Sequence, residues 1–187
     1  GKIIISDTGI GMKEEDIINK WLRAATNDKS INKYTKKYKR RKIGEKGIGR
    51  FATERLAKNV TLISNPEKLE TGNILKINWR EYDNPDADFE KVPLQLEYFE
   101  KNKQNHGLTI ILEGLDDFWN EQEIEKLYYE ISLILPPSSV KGKFEVKIDA
   151  PQFPKFTGKI KSSFLRGADF ILNAKLSENG FVTYTIK

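Results

Sequence analysis

The spacing of hydrophobic and polar positions changes repeatedly along the 187 residues, and each change predicts a new element. Lys2-Ile3-Ile4-Ile5-Ser6 is a short, continuous apolar run, the pattern of a buried strand, and it leads into the turn Asp7-Thr8-Gly9-Ile10-Gly11-Met12. A helix is predicted from about Lys13. Glu14, Glu15 and Asp16 fill its first turn, where the helix dipole favours acids, and Ile17, Trp21 and Ala25 with Ile18 and Leu22 form an i,i+4 apolar face. The periodicity then stops, and residues 27–42, NDKSINKYTKKYKRRK, predict a long loop. Beyond it Ile48, Phe51, Ala52 and Leu56 return at helical spacing and predict a helix that begins near Gly49.

VTLIS (60–64) and NILKINW (73–79) flank the turn-rich NPEKLETG and predict a hairpin. LQLEYFE and GLTIILEGL predict two more strands across the polar KNKQNH. A second helix is predicted from about Glu121 to Leu135: Asn120 and Glu123 have capping-box spacing, and Ile124, Leu127, Tyr128, Ile131 and Leu135 share a face. Pro136-Pro137 ends it. From Val140 the chain turns to short strand patterns, KFEVKI, DFILNAKL and GFVTYTIK, separated by turns. These either extend the sheet or begin a second domain, and the expected division is 1–139 and 140–187. With no initiator methionine and strand patterns at both extremities, a piece cut from a longer protein is expected.

Composition narrows the chemistry. A hydrophobic fraction of 38% supports one main core. No apolar run approaches the roughly 18–20 residues of a membrane span, and GKIIISDTG is too short and acidic for a signal peptide. A cytoplasmic protein without membrane contact is expected, which the absence of cysteine also fits. Without cysteine there is no thiolate metal site, and a single histidine, His106, makes a multi-histidine site impossible, so no metal site is expected from these residues. His106 lies in a polar turn and reads as an exposed loop residue. Charge is uneven: from Asp28 to Lys42 eight basic residues (Lys29, Lys33, Lys36, Lys37, Lys39, Arg40, Arg41, Lys42) face one acid, a local +7 within a net +5, which leaves −2 elsewhere.

Residues 43–52, IGEKGIGRFA, hold three glycines, a pattern that lets backbone approach a phosphate. Gly44-x-x-Gly47-x-Gly49 reverses the dinucleotide order G-x-G-x-x-G. It is not a P-loop either, because Arg50-Phe51 stands where Lys-Ser/Thr is required.

An acid in a glycine turn (Asp7-x-Gly9-x-Gly11), a basic loop, the glycine run Gly44 to Gly49 and the strand Gly107-Leu108-Thr109-Ile110 follow in that order. This order resembles the GHKL or Bergerat-fold ATPase family of gyrase, ninety-kilodalton heat-shock chaperones, histidine kinases and MutL-type mismatch-repair proteins, over about residues 3–112. Within it, GEKGIGRFA looks most like large bacterial ATP-binding proteins grouped near the MORC ATPases. The resemblance implies an α/β two-layer sandwich, a mixed and mostly antiparallel sheet with helices on one face and an ATP pocket between the layers.

The resemblance also implies roles. Asp7 would accept a hydrogen bond from the adenine amine, which suits an ionised carboxylate because it only accepts. Gly9 and Gly11 would let the chain turn beneath the base, Met12 would supply a polarizable wall, and Thr109 would support Asp7 and a bound water. Backbone N–H groups of Gly44, Gly47 and Gly49 would meet the phosphates at a helix start, with Lys46 and Arg50 adding charge and Ile48 and Phe51 completing the run. Residues from about Thr26 to Lys42 would form the ATP lid. The family's catalytic glutamate and magnesium-binding asparagine lie on a helix upstream of the D-x-G-x-G strand, so both are expected before Gly1.

The implied function is binding of ATP and ADP, coupled in the full-length protein to hydrolysis, lid closure and homodimerisation, with residues 140–187 as the start of a transducer. Two rivals stand beside it. One is a nucleic-acid-binding module that grips phosphate through Lys29 to Lys42, with Tyr34 and Tyr38 interleaved for stacking. The other is a partner-binding domain that keeps the fold without catalysis.

Overall fold

Alternation along Ala57–Asn65 sets the architecture. This strand, β2, buries Val60, Leu62 and Ser64 on one side while Thr61 and Ile63 face the other, as the two-residue period of a pleated strand requires. The computed structural model describes residues 1–22, 34, 52–81, 95–135, 144–163, 170 and 172–186. They form two compact units, Gly1–Phe118 and Trp119–Lys187.

The first unit holds β1 (Lys2–Asp7), β2, β3 (Thr71–Asn78), β4 (Gln95–Glu100) and β5 (Gly107–Leu115) in one five-stranded sheet of order β1-β5-β2-β3-β4. Every described pairing within it is antiparallel, and the predicted two-layer α/β class holds. The hairpin predicted around NPEKLETG is present as β2 and β3, with Leu62 opposite Leu75 and Val60 opposite Ile77. The next two strands are adjacent in sequence but not in space: β4 lies at the edge beside β3, whereas β5 is inserted between β1 and β2. Their compositions fit these places. β4 carries Glu97 and Glu100 and is largely exposed, as an edge tolerates, while β5 buries Gly107 and Leu112.

Ile17, Ala57, Val60, Leu62, Leu75, Ile77 and Leu112 form the buried core, and Ile3, Met12, Trp21, Leu22, Leu56 and Trp79 pack around it. The two tryptophans thus lie against the core, as expected. β1 departs from its buried-strand pattern: Ile4 and Ile5 are 58% and 54% exposed. The reason is position, since β1 pairs with β5 alone among the described strands.

The first helix starts where predicted, as α1 (Glu14–Asp16), but continues as a π-helical turn over Ile17–Trp21 closed by the Leu22 N–H on the Ile17 carbonyl at 2.9 Å. The wider turn changes the predicted face. Ile17 is fully buried and Trp21 and Leu22 remain inward, whereas Ile18 rotates out to 42% exposure; Ala25 lies outside the described residues. The helix after the glycine run is described as α2 (Ala52–Leu56), which joins β2 without a loop. Because Ala57 is already an inward strand residue, the inward helix positions are Thr53 and Leu56, not the predicted Ala52. The basic loop also lies outside the described residues, apart from the exposed Tyr34.

In the second unit α3 (Glu121–Ile134) has the predicted capping box, with Glu123 N–H on Asn120 Oδ1 at 3.1 Å and Asn120 N–H on Glu123 Oε2 at 2.8 Å. Its inward side carries the predicted Ile124, Leu127, Tyr128, Ile131 and Leu135, joined by the buried Ser132, which bonds Ser163 at 2.7 Å. Short ribbons follow: β6 (Lys147–Ile148) with β7 (Gly158–Lys159), and β8 (Leu172–Leu176) with β9 (Val182–Ile186). The β8–β9 hairpin pairs Leu172, Ala174 and Leu176 with Ile186, Tyr184 and Val182 on one exposed face and sets Asn173, Lys175, Thr183 and Thr185 on the other.

Leu62→Ala is expected to destabilise the first unit by about 2–5 kcal/mol, because the cavity lies at the middle of the core. Asn120→Ala should cost about 1 kcal/mol through loss of the helix cap. Urea unfolding followed by circular dichroism measures both.

Candidate functional site

Sheet register assembles one row of side chains at the end where β1 leaves the sheet. Asp7 stands opposite Leu108, Leu108 opposite Ser64, Ser64 opposite Asn73, and Asn73 opposite Tyr98. Directly opposed residues share a face, so these five positions lie on the inner side with Leu62 and Leu75. Ser64 is fully buried and Asn73 is 5% exposed. Buried polar groups require partners.

The turn after β1 supplies them. Ser64 Oγ accepts from the Met12 N–H and donates to the Met12 carbonyl, each at 2.7 Å, and Asn73 Nδ2 donates to the same carbonyl at 3.3 Å. Nearer β1, the Gly9 N–H donates to Asp7 Oδ1 at 2.7 Å, and His106 Nδ1 bonds the Gly9 carbonyl at 2.7 Å. The Glu67 N–H holds the Ile10 carbonyl at 2.8 Å. Beyond Met12, Asp16 caps the Lys13 N–H and pairs with Lys20 at 2.6 Å. The loop therefore crosses the whole row and is tied along its length. At the far end the hydrogen bond to Glu14 raises the titration of the Tyr98 hydroxyl above the ordinary tyrosine value, with desolvation and the Glu14 charge adding to it.

Two glycines make this path sterically available. Gly11 has φ +64°, and a Cβ there would collide with the Asn65 carbonyl; Gly107 has φ +131°, and a Cβ would collide with the Asp7 carbonyl. Both φ values lie where L side chains are strained, and both neighbours are backbone.

Asp7, Gly9, Gly11 and Met12 are thus brought together in one loop. Thr109 is not brought to Asp7. It pairs with Ser6, its hydroxyl lies 3.1 Å from Ser6 Oγ, and strand alternation puts both on the opposite face. Leu108 is the residue beside Asp7. Gly44, Lys46, Gly47, Ile48, Gly49, Arg50 and Phe51 lie outside the described residues. Ser64, Asn73 and His106 were not singled out from the sequence as site residues, yet two of them carried a signal. Ser64 and Asn73 are the polar members of inward series otherwise filled by Val60 and Leu62, and by Leu75 and Ile77. His106 gave no such signal; in place of an exposed loop residue, it is half-buried against the Gly9 carbonyl.

Chemically, the arrangement presents one carboxylate at a sheet end with Oδ1 engaged and Oδ2 without a partner among the described residues. No group of three or more His, Cys, Asp or Glu that could hold a metal gathers among the described residues. No described helix is long and apolar enough to cross a membrane.

Ser64→Ala leaves the Met12 N–H without its acceptor and is expected to cost about 1–3 kcal/mol in denaturant unfolding. Gly11→Ala should destabilise clearly more than Gly180→Ala. Both residues have positive φ, at +64° and +85°, but nothing lies within 4 Å of a Cβ at Gly180.

A family model described as histidine kinase-, DNA gyrase B-, and HSP90-like ATPase matches residues 1–108. No curated protein matches the chain. The matched segment covers β1, the D-x-G-x-G loop, the glycine run and the sheet as far as the start of β5, more than half of the chain. The chain therefore belongs to the family of histidine kinase-, DNA gyrase B- and HSP90-like ATPases, whose shared module is an ATP-binding domain.

Proposed function

We propose that the chain binds ATP and ADP and that Asp7 recognises the adenine base. The observation that carries this reading is the Asp7 carboxylate, oriented by the Gly9 N–H at 2.7 Å with its second oxygen left to accept. An ionised carboxylate matches the exocyclic amine of adenine and opposes the carbonyl that guanine carries there. Gly9 and Gly11 keep the turn beneath the base narrow, and Met12 forms a polarizable wall. In place of Thr109, Leu108 is the apolar neighbour of Asp7 at the adenine edge.

The phosphates are assigned to backbone N–H groups of Gly44, Gly47 and Gly49 with Lys46 and Arg50, and Ile48 and Phe51 complete that segment. This assignment rests on motif order and on the helix that follows at Ala52–Leu56. Bound ATP supplies the phosphoanhydride whose hydrolysis drives the family's cycle. No group of three or more His, Cys, Asp or Glu gathers for magnesium among the described residues; in the family its asparagine and the catalytic glutamate belong to the motif upstream of this strand. In the full-length protein we read residues 26–42 as a lid that closes on the nucleotide, closure as the trigger for homodimerisation, and residues 140–187 as the start of a transducer. The wording GEKGIGRFA supports a relation to the large bacterial proteins near the MORC ATPases.

Calorimetry on the full-length protein tests the reading. ATP and ADP should bind, GTP at least about tenfold more weakly, and Asp7→Asn should lose about tenfold or more in ATP affinity, since one hydrogen bond to a charged group is removed. No adenine-nucleotide binding, or unchanged binding by Asp7→Asn, would sink the assignment. DNA affinity that falls steeply with salt and depends on Lys36, Lys37 and Arg40, without nucleotide binding, would favour the nucleic-acid module instead.

A further inference from the structure

We infer that His106 is the positioning residue of the nucleotide loop, its Nδ1–H holding the Gly9 carbonyl so that Asp7 is fixed for adenine. The Nδ1 to carbonyl distance is 2.7 Å. A carbonyl oxygen only accepts, so the bond requires a proton on Nδ1 and selects one tautomer of the neutral ring. The next residue, Gly107, packs its backbone against the Asp7 carbonyl. His106 and Gly107 thus grip the two ends of the three-residue turn whose interior bond runs from the Gly9 N–H to Asp7 Oδ1.

The remaining anchors of the loop come from elsewhere. Glu67 holds the Ile10 carbonyl, Ser64 holds Met12 and Asp7 stays in register with Leu108, so loss of the imidazole frees the Gly9 end of the turn, to which Asp7 Oδ1 is bonded, and leaves the loop attached to the sheet. The role in recognition rests on the proposal that Asp7 reads adenine. The contact itself does not.

His106 is the single histidine of these 187 residues, and comparison of ¹⁵N imidazole spectra of the full-length protein with those of its His106→Ala form isolates the signal of this site. The neutral ring is expected to be protonated at Nδ1, and a ring protonated at Nε2 overturns the inference. His106→Ala should weaken ATP binding about fivefold, the size of one net hydrogen bond, and narrow the ATP-over-GTP ratio by a similar factor. His106→Asn, whose amide N–H stands near the Nδ1 position, should restore affinity to within about twofold. A lower melting temperature with an unchanged ATP-over-GTP ratio, or failure of the asparagine to rescue, would reduce His106 to a structural role and overturn the inference. A wild-type protein without preference for ATP overturns the adenine reading and with it the positioning role, and the tautomer still reports whether the contact exists.

Discussion

One buried hydroxyl ties the D-x-G-x-G loop to the sheet. Ser64 Oγ sits in an inward series otherwise filled by Val60 and Leu62, where an unsatisfied polar atom would be costly. It is satisfied from both sides by one residue, accepting from the Met12 N–H and donating to the Met12 carbonyl. The main-chain polar groups of Met12 find their partners in the same exchange. Neither side can move without stranding the other, so a turn that would otherwise be mobile becomes part of the sheet's inner surface.

From that anchor the other contacts follow in space. Met12 lies over the Ser64 and Asn73 positions, which fixes the span back to Asp7 at five residues. A chain that must cover that distance while running close to β2 has room only for a glycine at position 11, against the Asn65 carbonyl. In the other direction the helix start reaches Glu14 and Tyr98, at the opposite edge of the sheet. The D-x-G-x-G spacing is thus a length matched to the width of the strands it crosses.

The order of motifs along the chain pointed to the family and its mostly antiparallel sheet, and local periodicity pointed to the hairpin and to the helix with its Asn120 cap. Motif order misassigned Thr109. A threonine two residues after glycine looks equivalent to one beside it, but a strand reverses its face at every residue, and the register sends Thr109 to Ser6 and Leu108 to Asp7. Ile18 and Ala52 failed for related reasons: a π-helical turn rotated one face, and the direct junction with β2 rotated the other.

Local pattern by itself determined which segments form most of the described strands and helices, that an acid heads the D-x-G-x-G turn and that this turn needs glycine, since these are properties of neighbouring residues and their torsions. Only the tertiary structure decided that β5 inserts between β1 and β2, that Ser64 and His106 hold the turn, and that β1 is exposed. Those outcomes depend on pairings between residues far apart in the chain, such as Ser64 with Met12 and His106 with Gly9, at separations of 52 and 97. No periodicity within a short window records such distances, because the partners meet only after the sheet has chosen its strand order and register.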